Sequence, residues 1–171
     1  MEHYLSFRVV VPSLNQGNFI AETLRSVVEQ KYPGSIQIAV MDGGSTDSSL
    51  EIIKSYSDRI DFFKSDKDDG QSSAINDGFS HVSGDISFYL NSDDVLLPDT
   101  FMKVNNYFSE NPDVTFIYSH RIVIDKISNV VDYWQLPKYK KFSIRQTDLI
   151  PQETLFWKTS EMSKIGNLDP S

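Results

Sequence analysis

Carboxylates, amides and glycines crowd into three short stretches of this 171-residue chain: Asp42-Gly43-Gly44-Ser45-Thr46-Asp47, Asp66-Lys67-Asp68-Asp69-Gly70-Gln71 and Asn91-Ser92-Asp93-Asp94. Each alone has ordinary turn composition, because Asp, Asn, Gly and Ser favour turns and caps. Together they could support more specific chemistry. The adjacent carboxylates Asp93 and Asp94 repel each other unless a cation or a proton relieves them. A hard divalent cation, Mg²⁺ or Mn²⁺, would do so through oxygen ligands and could bridge to phosphate oxygens. Spacing leaves a second reading open, in which Asp94 caps a local turn and Asp93 faces water. Asp42 precedes two glycines that let backbone approach a ligand closely. Its carboxylate could accept an imide N–H such as that of uracil, or cap the helix that starts near Ser48.

To act together the three stretches must reach one place, and the hydrophobic pattern between them supplies the route. Phe7 to Val11 is a β-branched run closed by Pro12 and a polar loop, Ser13 to Asn18. From Phe19 the apolar positions Ile20, Leu24, Val27 and Val28 recur at helical spacing until Tyr32-Pro33-Gly34. Strand Ile36 to Met41 and helix Ser48 to Tyr56 form a second βα unit, with Leu50, Ile52, Ile53 and Tyr56 inward. Strand Ile60 to Phe63 and a helix near Gln71 to Phe79 form a third. Strand Ile86 to Leu90, then Pro98 and a helix to about Phe108, form a fourth. Such a succession implies a parallel sheet covered by helices on both faces. Its carboxyl edge collects all three polar loops, and that edge is where such sheets bind ligands. After Asn111-Pro112 the runs Val114 to Ser119, Ile122 to Lys126 and Val130 to Tyr133 predict a mixed or antiparallel extension of the same sheet. A last short helix, capped by Thr159 or Ser160, is expected to end at Gly166.

Composition narrows the function. There are 24 acidic and 16 basic side chains, a formal charge of -8, and no basic block, which disfavours a nucleic-acid partner held through phosphates. With 39% hydrophobic residues a core is expected, and with no cysteine there is neither a disulfide framework nor a thiolate site. Apolar runs such as Val9-Val10-Val11 fall far short of the roughly 20 residues that span a bilayer, and the N-terminus lacks an export pattern, so a cytoplasmic location is expected. Neither G-x-G-x-x-G nor G-x-x-x-x-G-K-S/T occurs, which removes support for hydride-transfer and P-loop chemistry. His3, His81 and His120 are too scattered for a metal-ligand spacing.

In series the motifs resemble the inverting family 2 glycosyltransferases of GT-A fold. The resemblance is carried by Val10-Val11-Pro12-Ser13-Leu14-Asn15-Gln16-Gly17 with Phe19-Ile20 and Glu22-Thr23-Leu24, and by Asp42 to Asp47. It continues through Asp69-Gly70-Gln71 with Ala74-Ile75-Asn76 and Gly78-Phe79, and through Asn91 to Asp94. Order and spacing match over Phe7 to Phe101. The tail Gln152 to Asp169, with Phe156-Trp157 and Ile165-Gly166-Asn167-Leu168-Asp169, is similar to the family's acceptor-side segment. The implied fold is α/β, a Rossmann-like three-layer sandwich with a mainly parallel central sheet and a mixed C-terminal extension. It would be one domain over 1–171, with a nucleotide-sugar part at 7–112 and a partial acceptor-side part at 113–171.

Carried over, Pro12, Ser13 and Asn15 would line the nucleotide pocket and Asp42 would bind the base. Asp69, Gly70 and Gln71 would flank base and ribose. Asn91, Ser92, Asp93 and Asp94 stand at the family's D-x-D element, with Asp93 and Asp94 as ligands to Mn²⁺ or Mg²⁺; Asn91 replaces its first aspartate. Gln152, Glu153 and Trp157 would lie on the acceptor side. The resemblance implies a single displacement in which a hydroxyl of a saccharide or lipid-linked acceptor attacks the anomeric carbon opposite a nucleoside diphosphate, UDP being the expected one.

The acceptor proton needs a carboxylate base. The family's base lies downstream of a turn like Gly166 to Asp169, so it is expected beyond Ser171. Glu153 is the nearest substitute within the chain, against a plain solvent-facing strand role. A chain that binds nucleotide-sugar without turnover is therefore the alternative. A nucleotidyltransferase ranks last, because Ser13 to Asn18 contains no Lys or Arg. Trp134 and Trp157 are left open between stacking on a sugar and core packing, whereas Phe156 is expected in the core. Lys138, Lys140 and Lys141 could guide an anionic lipid carrier in a protein that sits peripherally at the inner face of a membrane, or simply be solvated.

Overall fold

The structure is a computed structural model and describes residues 4–136 and 150–169. His3, the lysines at 138, 140 and 141, and everything expected past Asp169 lie outside the described residues. Four parallel strands, β1 (Phe7–Ser13), β2 (Ile36–Asp42), β3 (Phe62–Ser65) and β4 (Ile86–Tyr89), alternate with helices α1 (Ile20–Val28), α2 (Ser49–Ser55), α3 (Gln71–His81) and α4 (Thr100–Glu110). Then come β5 (Phe116–Ile117), a hairpin of β6 (Arg121–Ile124) and β7 (Val130–Trp134), and finally β8 (Phe156–Lys158) with α5 (Thr159–Ile165). The central sheet runs β3-β2-β1-β4-β8-β5, with β8 antiparallel to both its neighbours. The chain reverses its lateral direction between β1 and β4, and the crevice at that reversal is the preferred ligand position in such sheets.

Alternation along β1 explains the two packed layers. Phe7, Val9 and Val11 turn to one face, where Leu24, Val27, Ile53, Phe101, Phe108 and Phe156 join them. Val10 turns to the other face and meets Ala74, Ile75 and Phe79 of α3 together with Trp157. Helix α3 comes very close to the sheet at Gly78, where a Cβ would lie 2.7 Å from Val10 Cγ1. Apart from Asp99, Asn15 and Ser128, no described residue other than glycine has positive φ. No described helix is long and apolar enough to cross a membrane.

Three expectations need correction. Strand β3 starts at Phe62, two residues late, because Ser57–Arg59 form a 3₁₀ turn and the Asp61 carboxylate takes the Ile38 N–H that a strand residue would have bonded. The runs after Asn111 do not all extend the sheet. Only Phe116–Ile117 does so, and only through β8; β6 and β7 form a separate two-stranded sheet. Every residue of β7 is exposed, so the β-branched and aromatic Val-Val-Asp-Tyr-Trp run signals a strand without specifying which sheet it joins. Thr159 is the first residue of α5 rather than its cap, and its hydroxyl instead bonds Ser87 Oγ across the sheet at 2.8 Å.

Candidate active site

The carboxyl ends of β1 and β2 are laced together by short polar side chains. Asp42, only 2% exposed, accepts four hydrogen bonds: from Gly44 N (3.2 Å), Ser45 N (3.0 Å), Ser45 Oγ (2.5 Å) and Ser65 Oγ (2.6 Å). The positive φ of Gly44 (87°) folds the loop back so that both N–H groups can reach that one carboxylate. Asn15, itself at φ 53°, donates its N–H to Ser45 Oγ and accepts Thr46 N–H on its side chain, at 2.8 and 2.9 Å. Asp47 bonds Gly17 N and Ser49 N, both at 2.9 Å. The Ser49 bonds, then that from Gly17, hold its carboxyl below the usual carboxylate range. Pro12 is buried beneath these loops. Ser13 is 6% exposed, and its hydroxyl has no hydrogen-bond partner among the described residues.

Beside Asp42 opens a cleft of about 150 Å³ lined by Lys64, Asp66, Lys67, Asp68, Asp69 and Ser73. Gly43 lies close against Asp68, whose Oδ2 would stand only 3.0 Å from a Cβ placed there. Asp69, Gly70 and Gln71 are exposed at its rim, where Gly70 (φ 103°) turns the chain into α3.

The end of β4 faces a second cleft of about 220 Å³, bounded by Phe19, Glu22, Asp93, Val95 and the hairpin residues Ile124 to Lys126 and Ser128. Ser92 is buried, Asp93 is exposed and Asp94 lies partly buried behind it. Burial, followed by the charges of Glu153 and Asp93, pushes the Asp94 carboxyl up to about 6; a hydrogen bond from Asn91 and the charge of Arg121 act in the opposite direction. Arg121 joins Glu153 at 2.9 Å and lies over the Trp134 ring at 3.9 Å. The hairpin tip is tied to α1 by Ser128 Oγ donating to Glu22 at 2.7 Å.

The structure thus brings Pro12, Ser13, Asn15, Asp42, Asp69, Gly70, Gln71 and Asn91 to Asp94 to one edge, with Gln152 and Glu153 arriving from the C-terminal segment. Trp157 departs from its expected acceptor-side place. It is 9% exposed and packs edge-on against Phe79 and Tyr89, because β8 inserts into the sheet and turns this ring toward α3. Phe156 is buried on the opposite face, stacked on Phe88 at 4.2 Å between ring centres. Arg121, Glu22 and Ser128 were not among the expected site residues. Contacts between α1 and a hairpin a hundred residues later leave no local signal.

The sequence profile of Glycosyl transferase family 2 matches residues 8–160. The chain belongs to that family. An uncharacterized family glycosyltransferase of Mycobacterium tuberculosis is 27% identical over 166 residues, covering 94% of this chain and 62% of its own length. Glycosyltransferase GlyA of Streptococcus pneumoniae is 30% identical over 158 residues, 80% of this chain and 23% of that protein. The chain therefore spans less than two thirds of these relatives. Among solved structures, the mannosyltransferase PcManGT from Pyrobaculum calidifontis, in complex with GDP-Man and Mn²⁺, has a TM-score of 0.75 at 17% identity, over 99% of this chain and 49% of that one. S. aureus TarS 1-349 in complex with UDP-GlcNAc gives 0.72 at 18% identity, over 94% and 47%. Likeness at such identities is a likeness of fold, and the fold is GT-A, as the motif series implied.

Among the described residues no three His, Cys, Asp or Glu side chains gather into a metal cage. The family 2 donor set nevertheless fits a hard cation shared with a ligand. Asp93 lines the cleft with Asp94 behind it, and the Asp94 carboxyl is raised first by burial and then by the neighbouring charges of Glu153 and Asp93. Oxygen-ligated Mg²⁺ or Mn²⁺ would relieve those charges, with phosphate oxygens and water completing the shell.

Proposed function

We propose that this domain binds a UDP-sugar and forms the donor half of an inverting glycosyltransferase acting on a saccharide or lipid-linked acceptor. The observation that carries the reading is the convergence, on either side of the β1/β4 crevice, of the buried Asp42 hub and the Asp93-Asp94 pair. Asp42 acts by shaping the base-side loop: its carboxylate fixes Gly44 and Ser45, and its Oδ1, which takes only the Ser45 hydroxyl, keeps capacity for a base N–H. Asp69, Gly70 and Gln71 border the same cleft and would flank the ribose. When bound, Mn²⁺ or Mg²⁺ held by Asp93 and Asp94 supplies Lewis-acid neutralisation of the charge that builds on the departing diphosphate. The hydroxyl forms its bond to the anomeric carbon as the sugar–phosphate bond breaks, and its proton passes to a carboxylate. Glu153 already gives one oxygen to Arg121, which suits it to framing the acceptor side rather than to taking that proton.

Calorimetric titration with UDP plus Mn²⁺, repeated without metal and with Asp94→Ala, tests the reading. Metal-dependent heat that the substitution removes supports it. Indistinguishable heats in all three arms overturn the metal-assisted site.

A further inference from the structure

Three side-chain amides form a continuous relay across the site. Gln71 Nε2 donates to Asn91 Oδ1 at 2.7 Å, Asn91 Nδ2 donates to Gln152 Oε1 at 2.9 Å, and Gln152 Nε2 donates to the Tyr89 carbonyl at 2.6 Å. The relay joins the first residue of α3, the end of β4 and the 3₁₀ turn Gln152–Thr154, which are distant in sequence. Its polarity is fixed from one end. A peptide carbonyl only accepts, so Gln152 must turn its nitrogen toward Tyr89 and its oxygen toward Asn91; Asn91 must then donate to Gln152 and accept from Gln71.

An aspartate at position 91 would break this order. It would present an acceptor to both neighbours, and Gln152, already committed to Tyr89, could satisfy only one side. The turn that Gln152 opens also holds Glu153, whose carboxylate meets Arg121, so the seat of Gln152 sets where the acceptor-side charges sit.

We propose that Asn91 and Gln152 are positioning residues that couple filling of the donor cleft to seating of the acceptor-side turn, with Gln71 as the sensing end. The inference rests on the donor-site reading. A nucleotide against Asp69 to Gln71 fixes the Gln71 amide, the fixed amide holds Asn91, and Asn91 holds Gln152. The acceptor side is then ordered after the donor, which limits loss of the activated sugar to water.

Hydrogen exchange on the chain tests this. The reporters are the N–H groups of Thr154 and Leu155, which bond Pro151 O and Gln152 O within the turn. In the wild type, UDP plus Mn²⁺ is expected to slow exchange about fivefold or more both at residues 43–48 and at Thr154 and Leu155. In Gln152→Met the slowing at 43–48 persists while that at Thr154 and Leu155 is lost; in Asn91→Asp, which sets a new carboxylate beside Asp94, the slowing of the turn is lost at saturating UDP plus Mn²⁺ whatever the change in donor affinity. Unchanged exchange in β1 and β2 shows that each variant is folded. Equal slowing of the turn in wild type and variants overturns the coupling. So does a wild type in which 43–48 respond and the turn does not, a result needing no variant. No slowing anywhere overturns the donor-site reading, and the coupling with it.

Discussion

Asp94→Asn should make the metal-free protein more stable at neutral pH while removing its metal-assisted nucleotide binding. The Asp94 carboxyl is raised from 3.8 to about 6, chiefly by burial and then by Glu153 and Asp93. At about 1.4 kcal/mol per unit the shift corresponds to about 3 kcal/mol of cost for holding the charge in the folded state. Part of the side chain remains in water, which reduces this to about 1–2 kcal/mol. The sign follows from the raised value. The protonated group favours the fold fully below about pH 4, where the unfolded chain is protonated too, and that contribution is lost as pH rises through about 6. An uncharged, nearly isosteric amide avoids the cost. Thermal melts without metal should therefore show Asp94→Asn above wild type by about 2–8 °C at pH 7.5, with the gap closing toward zero at pH 4. A gap that is absent at pH 7.5, or equal at both pH values, would refute the claim that Asp94 carries an unrelieved charge.

In the proposed site a cation has to displace the Asp94 proton, so the apparent affinity for UDP plus Mn²⁺ should fall about tenfold between pH 7 and pH 5, read by calorimetry. Asp42→Asn keeps one oxygen for Gly44, Ser45 and Ser65 but turns a nitrogen toward the Ser45 hydroxyl and removes the charge that strengthens these bonds; a loss of about 1–3 kcal/mol in urea denaturation is expected, together with loss of nucleotide binding. Gly78→Ala places a Cβ 2.7 Å from Val10 Cγ1 and 2.9 Å from Met41 Cγ, and should cost about 1–3 kcal/mol, seen as a lower denaturation midpoint. Arg121→Ala uncovers the Trp134 ring and should change its fluorescence, with a stability loss of about 1 kcal/mol or less.

The edge that holds Asp42 and Asp93 was legible because its signals are local. β-branched runs leading to Pro12 and to Asp42 mark strands, although β1 runs on through Pro12 to Ser13; helical spacing of Ile20, Leu24 and Val27 marks α1, and a parallel sheet leaves every strand-end loop on one edge. The C-terminal segments were not legible in the same way. Trp157 reads equally as a platform for a sugar and as a core ring until β8 is known to lie inside the sheet. The partner of Tyr133 and Trp134 is set by register with Ile122 and Arg121 rather than by their own pattern. Arg121 meets Glu153 only because β6 and the 3₁₀ turn cross the same crevice, a juxtaposition that no spacing encodes. Asn91 was visible as a departure from the family's aspartate, but the reason for an amide there emerges only with Gln71 and Gln152 in place.

The position of β8 bears on how the chain is made. Residues 156–158 fill the slot between β4 and β5, so β5 acquires its sheet partner only after about forty further residues have been synthesised. Until then the outer edge of β4 is an open row of peptide groups, and Phe88 and Phe101 lack the ring of Phe156 that later covers them. A nascent chain halted in this interval would offer a sticky strand edge to its neighbours. Strand β8, the last of the described strands, is thus the one that closes the open edge of β4.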